Sequence, residues 1–130
     1  MLAELAAERY VLLSTYRRSG EAVATPVWIA RRGDELVVWT ERNAGKVKRI
    51  RNDSRVELTA CDVRGRPSNG KTVVGRARLL DDAESRRVRE AIARKYGIFG
   101  RVAMFFSRLR GGTQRTIGVA IALDESPGSP

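Results

Sequence analysis

The sequence predicts a small, mainly β domain of the α+β kind, with six mostly antiparallel strands closed or nearly closed into a barrel and short helices inserted between them. Three observations predict it. The chain has 130 residues, room for one domain. Six runs rich in β-branched and apolar residues alternate with turn chemistry. Those runs are too short and too few for a two-sheet sandwich of ordinary size.

Leu2 to Arg9 has helical spacing and good helix formers, so a short amphipathic helix opens the chain. Tyr10 to Tyr16 is a strand, and Arg17-Arg18-Ser19-Gly20 is a turn whose glycine supplies the positive φ of a tight reversal. Glu21 to Ala30 is a second strand; Pro26 removes a ladder donor, so that strand belongs at an edge or is bulged. After the turn at Arg32-Gly33-Asp34 comes a third strand, Leu36 to Thr40, completing an antiparallel meander. Lys46 to Arg51 is helical, with Val47 and Ile50 on one face and cations around the rest. Arg55 to Cys61 alternates polar with apolar as a half-buried strand does. Arg64 to Lys71 reads as a loop, and Thr72 to Leu80 as a strand interrupted by Gly75. Asp81-Asp82 supplies acidic caps to a helix reaching Tyr96, whose inward positions are Val88, Ala91, Ile92 and the stem of Lys95. Gly97 and Gly100 interrupt before a second helix at Val102 to Leu109, and Thr116 to Leu123 is the last strand. Residues 1–125 thus form one domain, and 126–130, rich in Pro, Gly and Ser, form a disordered tail. Met104, Phe105 and Phe106 are either core or the apolar contact of a dimer.

Composition narrows the function. Hydrophobic residues make up 42% and charged ones 31%, enough for a core and too polar for a membrane protein. No stretch approaches the ~20 apolar residues of a membrane span. The opening residues lack a signal peptide's apolar run, so a cytoplasmic location is expected. A net charge of +10 calls for an anionic partner. The chain contains no His, which removes most metal sites and every Ser–His or Cys–His pair. Cys61 is alone and reads as a buried, inert thiol; Asp81 and Asp82, adjacent on a helix cap, point apart. No metal site and no complete acid–base or nucleophilic constellation remains.

The informative stretch runs from Trp39 to Arg51. It places the hydroxyl of Thr40 at a strand end, then a Gly-containing loop, then the N-terminus of a basic helix at Gly45 and Lys46. Free backbone N–H groups, the positive end of the helix dipole and the Lys46 charge make a phosphate seat. Between Arg42 and Arg55 six basic residues stand against one acid, Asp53. A solvated basic face is the plain alternative. Two anionic partners compete for such a surface. One is a single-stranded nucleic acid, disfavoured because Trp28 and Trp39 sit among apolar residues and the basic charge is spread. The other is a phosphorylated cofactor, which lets a chain without catalytic side chains be an enzyme.

These residues resemble a known family, the split β-barrel flavin and deazaflavin oxidoreductases of the pyridoxamine-phosphate-oxidase-like group, and within it the actinobacterial F420-dependent branch. The resemblance rests on Tyr10 to Tyr16, Ala24-Thr25-Pro26-Val27-Trp28, Val38-Trp39-Thr40, Gly45 to Asn52, Arg55 to Gly65, Val74 to Ala77 and Arg94 to Gly97, and covers about Tyr10 to Leu123. It implies a six-stranded split barrel that forms a homodimer, with the cofactor in a groove at the dimer interface. The strand Thr25-Pro26-Val27-Trp28 would run beside the ring system, and Trp39, Thr40, Gly45 and Lys46 would hold the phosphate. Flavin-using members carry an Arg before that Lys; Gly45 stands there in this chain, which favours F420 and leaves FMN as the alternative. Lys48, Arg49, Arg110 and Arg115 would serve the oligoglutamate tail of F420. The implied activity is hydride transfer from the reduced deazaflavin to a small unsaturated or quinone-like acceptor, with water or Tyr96 as proton source. A haem- or tetrapyrrole-binding protein of the same fold is a further alternative, and a basic nucleic-acid-binding barrel is one of another class.

Overall fold

The computed structural model describes residues 1–111 and 116–124, with backbone alone for residue 69 and residues 98–111. In chain order the elements are α1 (Leu2–Ala6), β1 (Tyr10–Tyr16), β2 (Ala22–Val27), β3 (Ile29–Arg32), β4 (Glu35–Glu41), α2 (Gly45–Asn52), β5 (Arg55–Cys61), β6 (Pro67–Leu79), α3 (Asp82–Gly111) and β7 (Thr116–Leu123). All ladder pairings are antiparallel, in the order β2-β1-β5-β6-β7-β4-β3.

Among the described residues seven strands replace the expected six. The run from Glu21 to Ala30 divides at Trp28: its first half pairs with β1, Val27 opposite Val11, and its second half pairs with β4, Ile29 opposite Val38. One stretch of chain therefore supplies both edges of the sheet, so the hydrogen-bonded ladder is not closed and the meander is two hairpins joined at a corner. Pro26 lies on edge strand β2, the position in a sheet where a residue without an N–H is tolerated. The expected loop at 64–71 is also corrected. A turn around Gly65, closed by its N–H to the Asp62 carbonyl at 2.9 Å, gives way to β6 already at Pro67. Pro67 pairs with Cys61 beyond a register shift in β5, so pairing with β5 overrides the turn-forming sequence.

Gly75 does not interrupt β6. It is a site of close approach: a Cβ there would lie 2.9 Å from the Ala122 carbonyl oxygen and 2.9 Å from a methyl of Ile121. Helix α1 stops at Ala6, three residues earlier than expected. Helix α3 is two helices joined at Gly97, whose φ of 59° breaks the backbone ladder. Asp81 caps its start, accepting the Glu84 N–H at 2.8 Å.

Two apolar layers hold the fold. Inward residues of the strands, among them Leu13, Ile29, Leu36, Val38, Leu58 and Ile121, fill the sheet's concave side, and Ile50 of α2 closes one end. On the outer side of β3, β4 and β7, Ala30, Val37 and Ala120 pack under Val88, Ala91 and Ile92 of α3. Strands β4 and β7 are thus buried on both faces along much of their length. Gly118 permits the close approach of α3, since a Cβ there would sit 2.9 Å from Val88 and 3.1 Å from Ser85. Ser85 Oγ in turn accepts the Gly118 N–H at 2.9 Å. Among the described residues no helix is long and apolar enough to cross a membrane. The side chains of Met104, Phe105, Phe106 and Arg110, residue Arg115 and the 126–130 tail lie outside the described residues.

Candidate functional site

Helix α2 forms because Val47 and Ile50, three residues apart, bury one face while the cations stay outside. Its start carries no cap from the protein. Ala44 precedes it in an extended conformation and has no side chain able to accept, and the first turn contains no acid. The Val47 N–H turns back to the Ala44 carbonyl at 3.1 Å, and the N–H groups of Gly45 and Lys46 have no partner among the described residues.

Two cations gather at that start. The Arg49 guanidinium folds back over it, so that a Cβ on Gly45 would lie 2.8 Å from Arg49 Nη1. Glycine at 45 is what makes room for the guanidinium. Arg49 is anchored by Nε, which donates to the fully buried Thr15 Oγ1 at 2.7 Å. The Lys46 ammonium is half-buried, and burial pushes its pKa below the usual lysine value; the Arg49 charge lowers it further while Glu41 opposes. Burial, then the charge of Arg17, likewise lowers Arg49. Neighbouring cations beside N–H groups without a partner among the described residues make a place where an anion such as a phosphate could sit. Lys48 is exposed on the outer side of the helix.

The other expected site residues fall elsewhere. Thr15, which fixes Arg49, pairs with Val23 at one end of β2, whereas Trp28 lies just past the other end, five residues on and roughly 17 Å away. Thr25 and Pro26 occupy the edge between, opposite Leu13 and Leu12, and Val27 is buried in the core. Trp28 stacks on Tyr96, with ring centroids 4.4 Å apart and planes 9° from parallel. Trp39 is one position past the Ile29–Val38 pair on the same outer face as Trp28, and both pack on the layer beneath α3. Its indole Nε1 is buried without a partner among the described residues. Thr40, next along β4, faces the other way by the alternation of a strand. The structure therefore brings Gly45, Lys46 and Arg49 together at the start of α2, and Trp28 and Trp39 together on the layer beneath α3.

Sequence reasoning missed Thr15 and undervalued Lys95 and Tyr96. Thr15 had a signal: in Tyr10–Tyr16 the inward positions are Val11, Leu13 and Thr15, and a hydroxyl at an inward position needs a partner. The sequence offers Tyr96 as a proton source, but its hydroxyl accepts the Ile29 N–H at 2.9 Å and donates to the Arg9 carbonyl at 2.7 Å. Burial also raises its pKa. Cys61 is buried, and burial pushes its thiol pKa up, as an inert thiol requires.

An antiparallel split barrel whose helix α2 starts without a side-chain cap and with cations beside it defines a small barrel-like domain with a positively charged helix start. Residues 1–115 match the profile of pyridoxamine 5'-phosphate oxidase, and the chain belongs to that family. The fold recurs in a conserved hypothetical protein, Rv2991, from Mycobacterium tuberculosis (TM-score 0.72, 18% identity, covering 95% of this chain and 78% of that one). It recurs in the heme storage protein HutZ of Vibrio cholerae (TM-score 0.66, 12% identity, 96% and 89% covered). An F420 reductase is a third structural relative (TM-score 0.60, 14% identity, 94% and 92% covered). No curated protein sequence matches the chain.

Proposed function

We propose that this protein is a cytoplasmic F420-dependent oxidoreductase, acting as a homodimer on a small unsaturated or quinone-like acceptor. The observation that carries the reading is the start of α2, where the Gly45 and Lys46 N–H groups, without a partner among the described residues, meet the Lys46 and Arg49 charges with no acidic residue in the first turn. When bound, the deazaflavin supplies the hydride. The chain's own residues bind and orient: Lys46, Arg49 and the N–H groups at Gly45 hold the phosphate, and Lys48 meets the anionic tail. Thr25, Pro26, Val27 and Trp28 form the strand that would run beside the ring. Since the Tyr96 proton is committed to a backbone carbonyl, water is the better proton source.

F420 is favoured over FMN because the position before Lys46 is a glycine and the charge surplus of +10 suits a polyanionic tail. The absence of His from the sequence removes the usual axial ligand of haem, which disfavours the haem reading. The outer face of β1 and β2 supports dimerisation: Ala22, Ala24 and Pro26 are exposed beside Leu12, and Val63 of the neighbouring turn is 61% exposed.

Titration with F420, FMN and a single-stranded oligonucleotide, followed by fluorescence and anisotropy, tests the reading. F420 should bind in the micromolar range, and Lys46→Ala should weaken it by about tenfold or more, the worth of one charge-assisted hydrogen bond. Preference for FMN would move the protein to the flavin-using branch. Tight, salt-sensitive oligonucleotide binding with no F420 response would overturn the proposal.

A further inference from the structure

Between α1, the β2–β3 corner and α3 lies a cavity of about 380 Å³, lined by Ala7, Arg9, Tyr10, Trp28, Lys95 and Tyr96. That volume is at the small end of the ~300–1,000 Å³ typical of ligand sites. Trp28 and Tyr96 line it as a stacked pair, each covering one face of the other, held by the two hydrogen bonds of the Tyr96 hydroxyl. The cavity is cationic beside these rings, with Lys95 Nζ 5.1 Å from the Tyr96 ring centroid. Lys95 Nζ donates to the carbonyl oxygens of Glu8 and Ile29, which uses two of its three N–H groups. Among the described residues no carboxylate lies within ion-pair distance of it, and Glu8 acts on it only from farther away. Arg9 adds an exposed guanidinium at the same cavity.

We propose that this cavity binds a small planar carboxylate, its ring against the Trp28–Tyr96 pair and its carboxylate on the remaining N–H of Lys95 with Arg9 beside it. A phosphate would call for more donors than this cavity offers and would leave the aromatic pair unused. Naming this ligand class as that of the acceptor rests on the oxidoreductase reading above; the binding site itself does not.

The test is titration of ¹⁵N-labelled protein with 2-naphthoate, with the neutral 2-naphthylmethanol as control, following the indole N–H signals of Trp28 and Trp39, assigned with Trp39→Phe. The Trp28 signal should shift and saturate with the acid, and the alcohol should bind about tenfold more weakly. Lys95→Met should lose about tenfold in affinity for the acid while F420 binding is retained. Because Lys95 also ties two backbone carbonyls, Arg9→Gln, at an exposed position, is the second variant and should lose several-fold. Equal binding of acid and alcohol, an unmoved Trp28 signal, or full affinity in both variants would overturn the inference. F420 binding without naphthoate binding would sink this inference and leave the oxidoreductase reading standing; the reverse result would do the opposite.

Discussion

At the scale of single residues, the start of α2 trades helix quality for an open seat. Gly45 is a poorer helix former than alanine by about 1 kcal/mol, yet it makes room for the Arg49 guanidinium. Gly45→Ala should therefore leave thermal stability equal or higher, because the long Arg49 side chain can swing aside, while F420 affinity falls several-fold. Melting curves and titration on the same samples read both effects. Lys46 carries a pH consequence whose sign is fixed. Its folded pKa lies below the unfolded one, so the fold disfavours the charged form. Holding that charge costs stability below the folded pKa, and the cost is relieved as pH rises through it. Binding of an anion needs the protonated amine, so F420 affinity should decline with rising pH earlier than an ordinary lysine would dictate, with proton uptake on binding. Calorimetry in buffers of different ionisation enthalpy measures that uptake. Lys46→Met should remove the pH dependence and weaken F420 binding by about tenfold or more without loss of stability. The helix start was legible in the sequence to within a residue, since a Gly-Lys step before a basic run is a local pattern. The Thr15–Arg49 bond was not, because it joins residues 34 apart through a side-chain rotamer that no spacing rule reports.

At the scale of elements, packing is decided where backbone meets backbone. Helix α3 sits on β7 through Gly118, and a methyl group there would press on Val88 and on the Ser85 backbone. Gly118→Ala should destabilise by about 1–3 kcal/mol, read as a lower denaturation midpoint with an unchanged slope. Strands β1, β5 and β7 have the bounds their alternation predicts, because each sets a buried face against a partly open one or lies fully within the core. The start of β6 defied that logic. Pro67, Asn69 and Gly70 carry turn propensity, and only the pairing of that segment with β5 makes it strand. The division at Trp28 was equally hidden: its cause is which neighbours the two halves find, and pairing partners are not written in local composition.

For the whole molecule, the proposed assembly places the exposed face of β1 and β2 between two copies. Ala24→Arg puts a charge in the middle of that face and should halve the mass measured by light scattering, with F420 affinity falling in step if the groove is shared. An unchanged mass and affinity would move the dimer contact to another surface. The order of the ladder has an effect during synthesis as well. Strand β7, the final segment of the sheet, is inserted between β6 and β4 in its middle. Until residues up to Leu123 are made, those two inner strands each present a raw row of unpaired peptide groups. A nascent chain, or one cut short before Thr116, is thus a template for sticking to its neighbours, and cells making it would depend on chaperones that shield such strands.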